Sequence, residues 1–190
     1  MRQVLSFVLI LLLSNCTIMK PEDYKNTEPK IKIEEYFLGD VKAWGIFQGR
    51  SGVVKRQFTA KMNGSFNGEN FILNEDFSWN DGEKQQRRWI IRKVGDNKYE
   101  GTAPDVVGIA KGVSFGSAFK FEYKLLVPYK DKKIKIRFDD WIFKQDEKTA
   151  INKATMTKFG FKVGELIVFF IKDYYLIVFI LNSFHSFFHQ

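Results

Sequence analysis

The chain has 190 residues, 45% hydrophobic and 27% charged, a balance that fits one globular domain with a real core and excludes a disordered or fibrous protein. Its net charge of +8 favours anionic partners such as lipid headgroups or lipopolysaccharide. With Cys16 as the one cysteine and His185 and His189 as the two histidines, there is no internal disulfide or cysteine-rich zinc site. Ahead of the C-terminal tail there is no His-ligated metal, Ser-His-Asp triad or histidine general base.

In chain order, Met1-Arg2 is a positive start and Val4 to Leu13 an almost unbroken apolar run. That run is too short to cross a membrane as a helix and suits a secretory signal. Leu13-Ser14-Asn15-Cys16 resembles the lipobox of bacterial lipoproteins, with Asn15 where Gly or Ala is usual. The resemblance implies a signal peptide over 1–15 and a lipid on the sulfur of Cys16. Thr17, in place of Asp, looks like the pattern sorted to the outer membrane. Two or three acyl chains at ~0.8 kcal/mol per buried CH₂ hold a protein there permanently. Residues 16–33, with Pro21, Pro29 and mixed charge, read as the lipidated N-terminus and a linker or lightly docked segment.

Residues 34–172 read as a meander of strands. Ile33 to Phe37 and Val41 to Gln48 form the first extended region. The stretch Ala43 to Gly52 serves as opening strand and first turn. Val54 to Met62 alternates, and Asn63-Gly64 and then Asn67-Gly68 are turn signals. Phe71, Leu73, Phe77 and Trp79 share one face of the next segment, and Asn80-Asp81-Gly82 turns into Arg87 to Arg92. Gly95-Asp96-Asn97 leads to Tyr99–Thr102, and Val106 to Ala110 reads as a small-residue strand. Phe119, Phe121, Tyr123, Leu125 and Val127 against Lys120, Glu122 and Lys124 give the cleanest alternation. Pro128 to Lys132 reads as a basic turn, followed by Ile134, Ile136 and Phe138, then Ala150 to Phe159 and Glu165 to Ile171. Nine or ten short strands in meander order predict an all-β antiparallel, lipocalin-like barrel, because closure removes exposed edges. Residues 173–190 follow without a turn signal and read as an aromatic C-terminal extension.

Trp44-Gly45-x-Phe47-x-x-Arg50-Ser51-Gly52, Asp105-Val106-Val107-Gly108, Phe138-Asp139-Asp140-Trp141 and Lys158-Phe159-Gly160 together resemble a family of proteobacterial outer-membrane lipoproteins, domain of unknown function 3833. The likeness spans roughly residues 21–172. It implies an envelope lipoprotein and brings no catalytic residue with it.

Asp139 and Asp140 are neighbours on a strand, so they point to opposite faces and cannot act as a pair. Parity puts Asp140 on the face of Ile134, Ile136 and Phe138, where a carboxylate needs a cation or donors. Arg50 and Arg56 are the candidates, and with Asp140 they would form a structural ion pair or a polar anchor for a ligand. Trp44, Trp79, Trp89, Phe121 and Trp141 are candidate cavity lining, or simply aromatic core. Rows of cations at Lys55, Lys61, Arg87, Arg88, Arg92, Lys130, Lys132, Lys133 and Lys135 suit anionic envelope lipid better than nucleic acid. The expectation is a non-catalytic binder or carrier of an apolar or amphipathic molecule, needing no cofactor or metal and hung on the periplasmic face of the outer membrane. The alternatives are a filled barrel docking to anionic membrane or a protein, and an enzyme working without histidine. A cavity separates the first two.

Overall fold

The computed structural model describes residues 19–172; the expected signal peptide over 1–15, Cys16 and the expected 173–190 extension lie outside them. Ten strands follow one another: β1 Gly39–Gly49, β2 Val54–Asn67, β3 Asn70–Trp79, β4 Lys84–Lys93 and β5 Lys98–Thr102. Then come β6 Ala110–Phe115, β7 Ala118–Tyr129, β8 Lys132–Lys144, β9 Thr149–Lys158 and β10 Phe161–Lys172. Each pairs antiparallel with its neighbours, and β1 pairs with β10 from Val41↔Lys172 to Gly49↔Gly164, closing the barrel. Closure satisfies the outer backbone groups of β1 and β10, so neither is left as an edge.

The period-2 pattern fixes which side chains enter. On β7, Phe119, Phe121 and Leu125 are buried while Lys124 is exposed. Aromatic contacts knit the interior: Trp89 lies 5.2 Å from Phe121 and 5.3 Å from Tyr123, and Tyr123 stacks on Phe138 at 5.1 Å.

Residues 19–37 are packed against one end. A 3₁₀ turn at Pro21–Tyr24 and a short helix, α1 Ile33–Tyr36, flank an extended piece whose Ile31 N–H donates to Gly116 O at 2.8 Å. Ile33, Tyr36 and Phe37 are buried, and Phe37 meets Phe170 edge-on at 5.2 Å. Tyr36 donates to Lys148 O at 3.0 Å, and Tyr99 donates to Glu34 at 2.9 Å. This end is stoppered; the turns β1–β2, β3–β4, β7–β8 and β9–β10 ring the other.

The local structure departs from expectation in four places. Ile33 to Phe37 is helical because the i, i+3, i+4 spacing of Ile33, Tyr36 and Phe37 presents one apolar face to the barrel end. Asn63-Gly64 is no turn; β2 runs through it, and the turn falls at Asn67-Gly68, where Gly68 has φ +60°. Gly64 is needed for proximity instead, since a Cβ there would sit 1.9 Å from Phe37 O. Val106 to Ala110 is not a strand: residues 103–109 connect β5 to β6, and Val106 makes a single bridge to Leu125. Finally, β7 continues through Pro128 to Tyr129 and turns at Lys130-Asp131.

Candidate functional site

The barrel is hollow. Its interior holds a cavity of about 730 Å³, within the range of small-molecule pockets. Phe37 and Ile33 floor it, and Trp89, Phe119, Phe121 and Phe58 are among its walls. Strand parity explains the apolar lining: β3 sends in Phe71, Leu73 and Phe77, β4 sends in Trp89 and Ile91, and β8 sends in Ile134, Ile136 and Phe138.

The same parity carries polar groups inward from four strands. Glu75 follows Leu73 on β3, Arg87 precedes Trp89 on β4, Asp140 follows Phe138 on β8, and Asn152 follows Ala150 on β9. Glu75 and Arg87 are cross-strand partners, with Arg87 Nη1 3.5 Å from Glu75 Oε2. Arg87 is otherwise taken by Asp105 from the β5–β6 connection: Nε donates to both carboxylate oxygens at 3.2 and 3.1 Å, and Nη2 donates to Oδ2 at 2.9 Å. Tyr123 donates to Asp140 Oδ2 at 2.8 Å. Asn152 Nδ2 donates to the other oxygen of Asp140 and to Trp141 O at 3.0 Å. Glu75 Oε2, fully buried, accepts no hydrogen bond.

Burial dominates the electrostatics, because a carboxylate loses its hydration inside the barrel. It pushes Glu75 up to about 7, with Arg87 opposing and the charge on Asp140 adding to the rise. Burial likewise raises Asp140 to about 6, against the hydrogen bonds from Tyr123 and Asn152. Tyr123 is held well above an ordinary phenol, first by burial and then by Asp140, so it stays a donor.

At the mouth, Arg56 lies over the Trp79 ring at 4.0 Å and pairs with Asp81 and Glu83, each at 2.7 Å. Nearby apolar side chains are strongly exposed, above all Phe159 at 88% and Phe161 at 69%. Phe159 occupies the left-handed region (φ 51°) in the β9–β10 turn.

Of the expected site residues, Arg56, Asp140, Trp79, Trp89 and Phe121 line the cavity. Arg56 does not pair with Asp140; it is engaged by the acids of the β3–β4 turn. Arg50 is exposed in the β1–β2 turn and does not line the cavity. Trp44 is outside, 45% exposed against Phe169, because parity on β1 sends Val41, Ala43 and Gly45 inward. Trp141 is also outside: it stacks with Phe143 and lies under Tyr24 at 6.0 Å, one residue out of phase with Asp140. Arg87, expected in a surface row of cations, is inside. Glu75, Arg87, Tyr123, Asn152 and Asp105 form the cluster that the sequence did not single out. The signal for the strand residues was the alternation itself, since Glu75 shares parity with Leu73 and Phe77, and Arg87 with Trp89.

The family model described as Protein of unknown function (DUF3833) matches residues 10–172. No curated protein matches the sequence. Among solved structures, the barrel is similar to an S-type phycobiliprotein lyase from Guillardia theta, at 8% identity and a TM-score of 0.57, over 82% of this chain and 98% of that one. It is also similar to a DUF3598-family protein of unknown function from Nostoc punctiforme, at 10% identity and a TM-score of 0.53. That match covers 77% of this chain and 51% of the other. At such identities the likeness establishes a shared lipocalin-like fold.

Proposed function

The chain belongs to the family Protein of unknown function (DUF3833), and from there we propose that it binds and carries an apolar or amphipathic small molecule inside its barrel. One observation supports this above all: a cavity of about 730 Å³, walled by aromatic and aliphatic side chains and stoppered at one end. A barrel filled by its own phenylalanines would leave nothing to bind, and this interior is hollow. The polar cluster supplies the few converging groups that orient a ligand in an apolar pocket.

In the same proposal the protein works in the cell envelope, tethered through a lipid on Cys16 to the periplasmic face of the outer membrane. The lipobox-like Leu13-Ser14-Asn15-Cys16 supports this, and the net charge of +8 suits neighbouring anionic lipid or lipopolysaccharide. A second reading, catalysis without histidine, is supported by Glu75 and Asp140, whose raised values near neutrality suit proton transfer.

Native mass spectrometry of the full chain, purified without detergent, tests the carrier reading. The expected spectrum shows protein plus one small molecule, which organic solvent releases unchanged. A chemically altered ligand would favour catalysis. Bare protein that also fails to brighten N-phenyl-1-naphthylamine, a dye that fluoresces in apolar cavities, overturns both.

A further inference from the structure

The two arginines that line the cavity are both already engaged. Arg87 makes three hydrogen bonds to Asp105 and lies 3.5 Å from Glu75. Arg56 lies over Trp79 and holds Asp81 and Glu83. An incoming carboxylate or phosphate would have to displace one of these acids, each of which would then be left near the cavity without its cation. The acceptors are in the opposite condition. Glu75 lines the cavity, and its Oε2 is fully buried and receives no hydrogen bond, with Arg87 Nη1 3.5 Å away. Asp140, its neighbour in charge across the interior, is held by neutral donors alone, Tyr123 and Asn152. Counted as charges, Arg87 stands among Glu75, Asp105 and Asp140, so the cluster has more carboxyls than cations.

We infer that the barrel selects ligands presenting a hydrogen-bond donor, an ammonium or another N–H group, to Glu75 and Asp140, and that it discriminates against anionic amphiphiles such as fatty acids. The inference rests on the carrier reading and specifies its ligand class. A buried carboxyl oxygen that accepts no hydrogen bond costs free energy that a ligand donor recovers, whereas an anion placed beside Glu75 and Asp140 adds repulsion there; the third cation lining the cavity, Lys158, lies at the mouth end of β9. This preference opposes the surface, where a net charge of +8 draws anions in. A selection for cations must therefore come from the interior.

The groups facing the two carboxyls are Arg87 on β4, Asp105 on the β5–β6 connection, Trp89 on β4, Tyr123 on β7 and Asn152 on β9. Arg87 stays charged and Tyr123 keeps its proton, so donor selectivity should sharpen as Glu75 and Asp140 lose their protons with rising pH.

The test is displacement of N-phenyl-1-naphthylamine from the full chain by three probes of equal tail length: dodecylamine, dodecanol and dodecanoate. The expected result is displacement by the amine at about tenfold lower concentration than by dodecanoate at pH 8, with the amine's advantage over dodecanol, which does not titrate, smaller at pH 5 than at pH 8. Glu75→Gln and Asp140→Asn, checked for retained fold by circular dichroism, should reduce the ratio toward one. If dodecanoate equals or beats the amine at pH 8, or if the ratio of amine to dodecanol is unchanged between pH 5 and pH 8, the inference is overturned while the carrier reading stands. If the dye does not enter, or no probe displaces it, both fall. Should the variants fail to fold, the wild-type pH comparison alone decides.

Discussion

Glu75 and Asp140 sit in the barrel with raised proton affinities, and that fixes the sign of the protein's response to pH. Glu75 ordinarily titrates near 4.5 and does so at about 7 in the fold. Between those values the folded chain holds a proton that the unfolded chain has lost, so stability falls as pH rises. Asp140 adds the same sign between 3.8 and about 6. Urea denaturation of the empty protein should therefore show stability lower at pH 8 than at pH 5, by on the order of 3 kcal/mol from Glu75 alone. Glu75→Gln should flatten most of that slope; stability that rises over the same interval would contradict the burial of these groups. At this scale the sequence was only partly legible. Asp140 could be placed inside because Ile134, Ile136 and Phe138 share its parity. Its partners could not, because Tyr123 and Asn152 come from the two adjacent strands, and register is set by pairing rather than by local pattern. Glu75 and Arg87 were hidden in the pairs Glu75-Asp76 and Arg87-Arg88, where a like-charged neighbour on the outer face makes the inward residue look like surface.

Strands with strict alternation, β7 foremost, are readable because each polar position alternates with a buried one. Glycine was the misleading signal. Asn63-Gly64 carries the composition of a hairpin turn, yet β2 passes straight through it, and the glycine makes room where Phe37 crosses the barrel end. A Cβ at residue 64 would fall 1.9 Å from Phe37 O and 2.6 Å from the Phe71 ring. Backbone cannot yield as a flexible side chain can, so Gly64→Ala should destabilise the protein by more than about 2 kcal/mol. Thermal unfolding is the measurement, with Gly68→Asn as a control at a true turn, where asparagine tolerates the left-handed conformation. An unaffected melting temperature for Gly64→Ala would show that the stopper does not press on β2. The irregular span 103–109 was misread for a related reason: Val106 and Val107 have strand propensity, but the chain there only touches β7 at Lys124–Leu126 and delivers Asp105 to Arg87.

For the whole molecule, closure of the barrel was legible from strand number and turn spacing, whereas the hollow interior was not, since twenty phenylalanines suit a filled core equally well. The barrel is complete at Lys172, which pairs with Val41 and donates its N–H to Lys148 O. A chain stopped after Lys172 should therefore melt within about 2 °C of the full-length protein by calorimetry. A large drop would make residues 173–190 part of the fold. Residues 19–37 pack at the stoppered end, and β10 finishes there too. Cys16 stands three residues before Met19, a reach of about 10 Å, while strands of twelve residues put the mouth roughly 30 Å from the base. On the proposed lipidation, the protein hangs from its membrane like a cup fixed by its foot. In that arrangement the rim would face away from the anchoring lipid, and the proposed cargo would pass to and from whatever approaches through the periplasmic space.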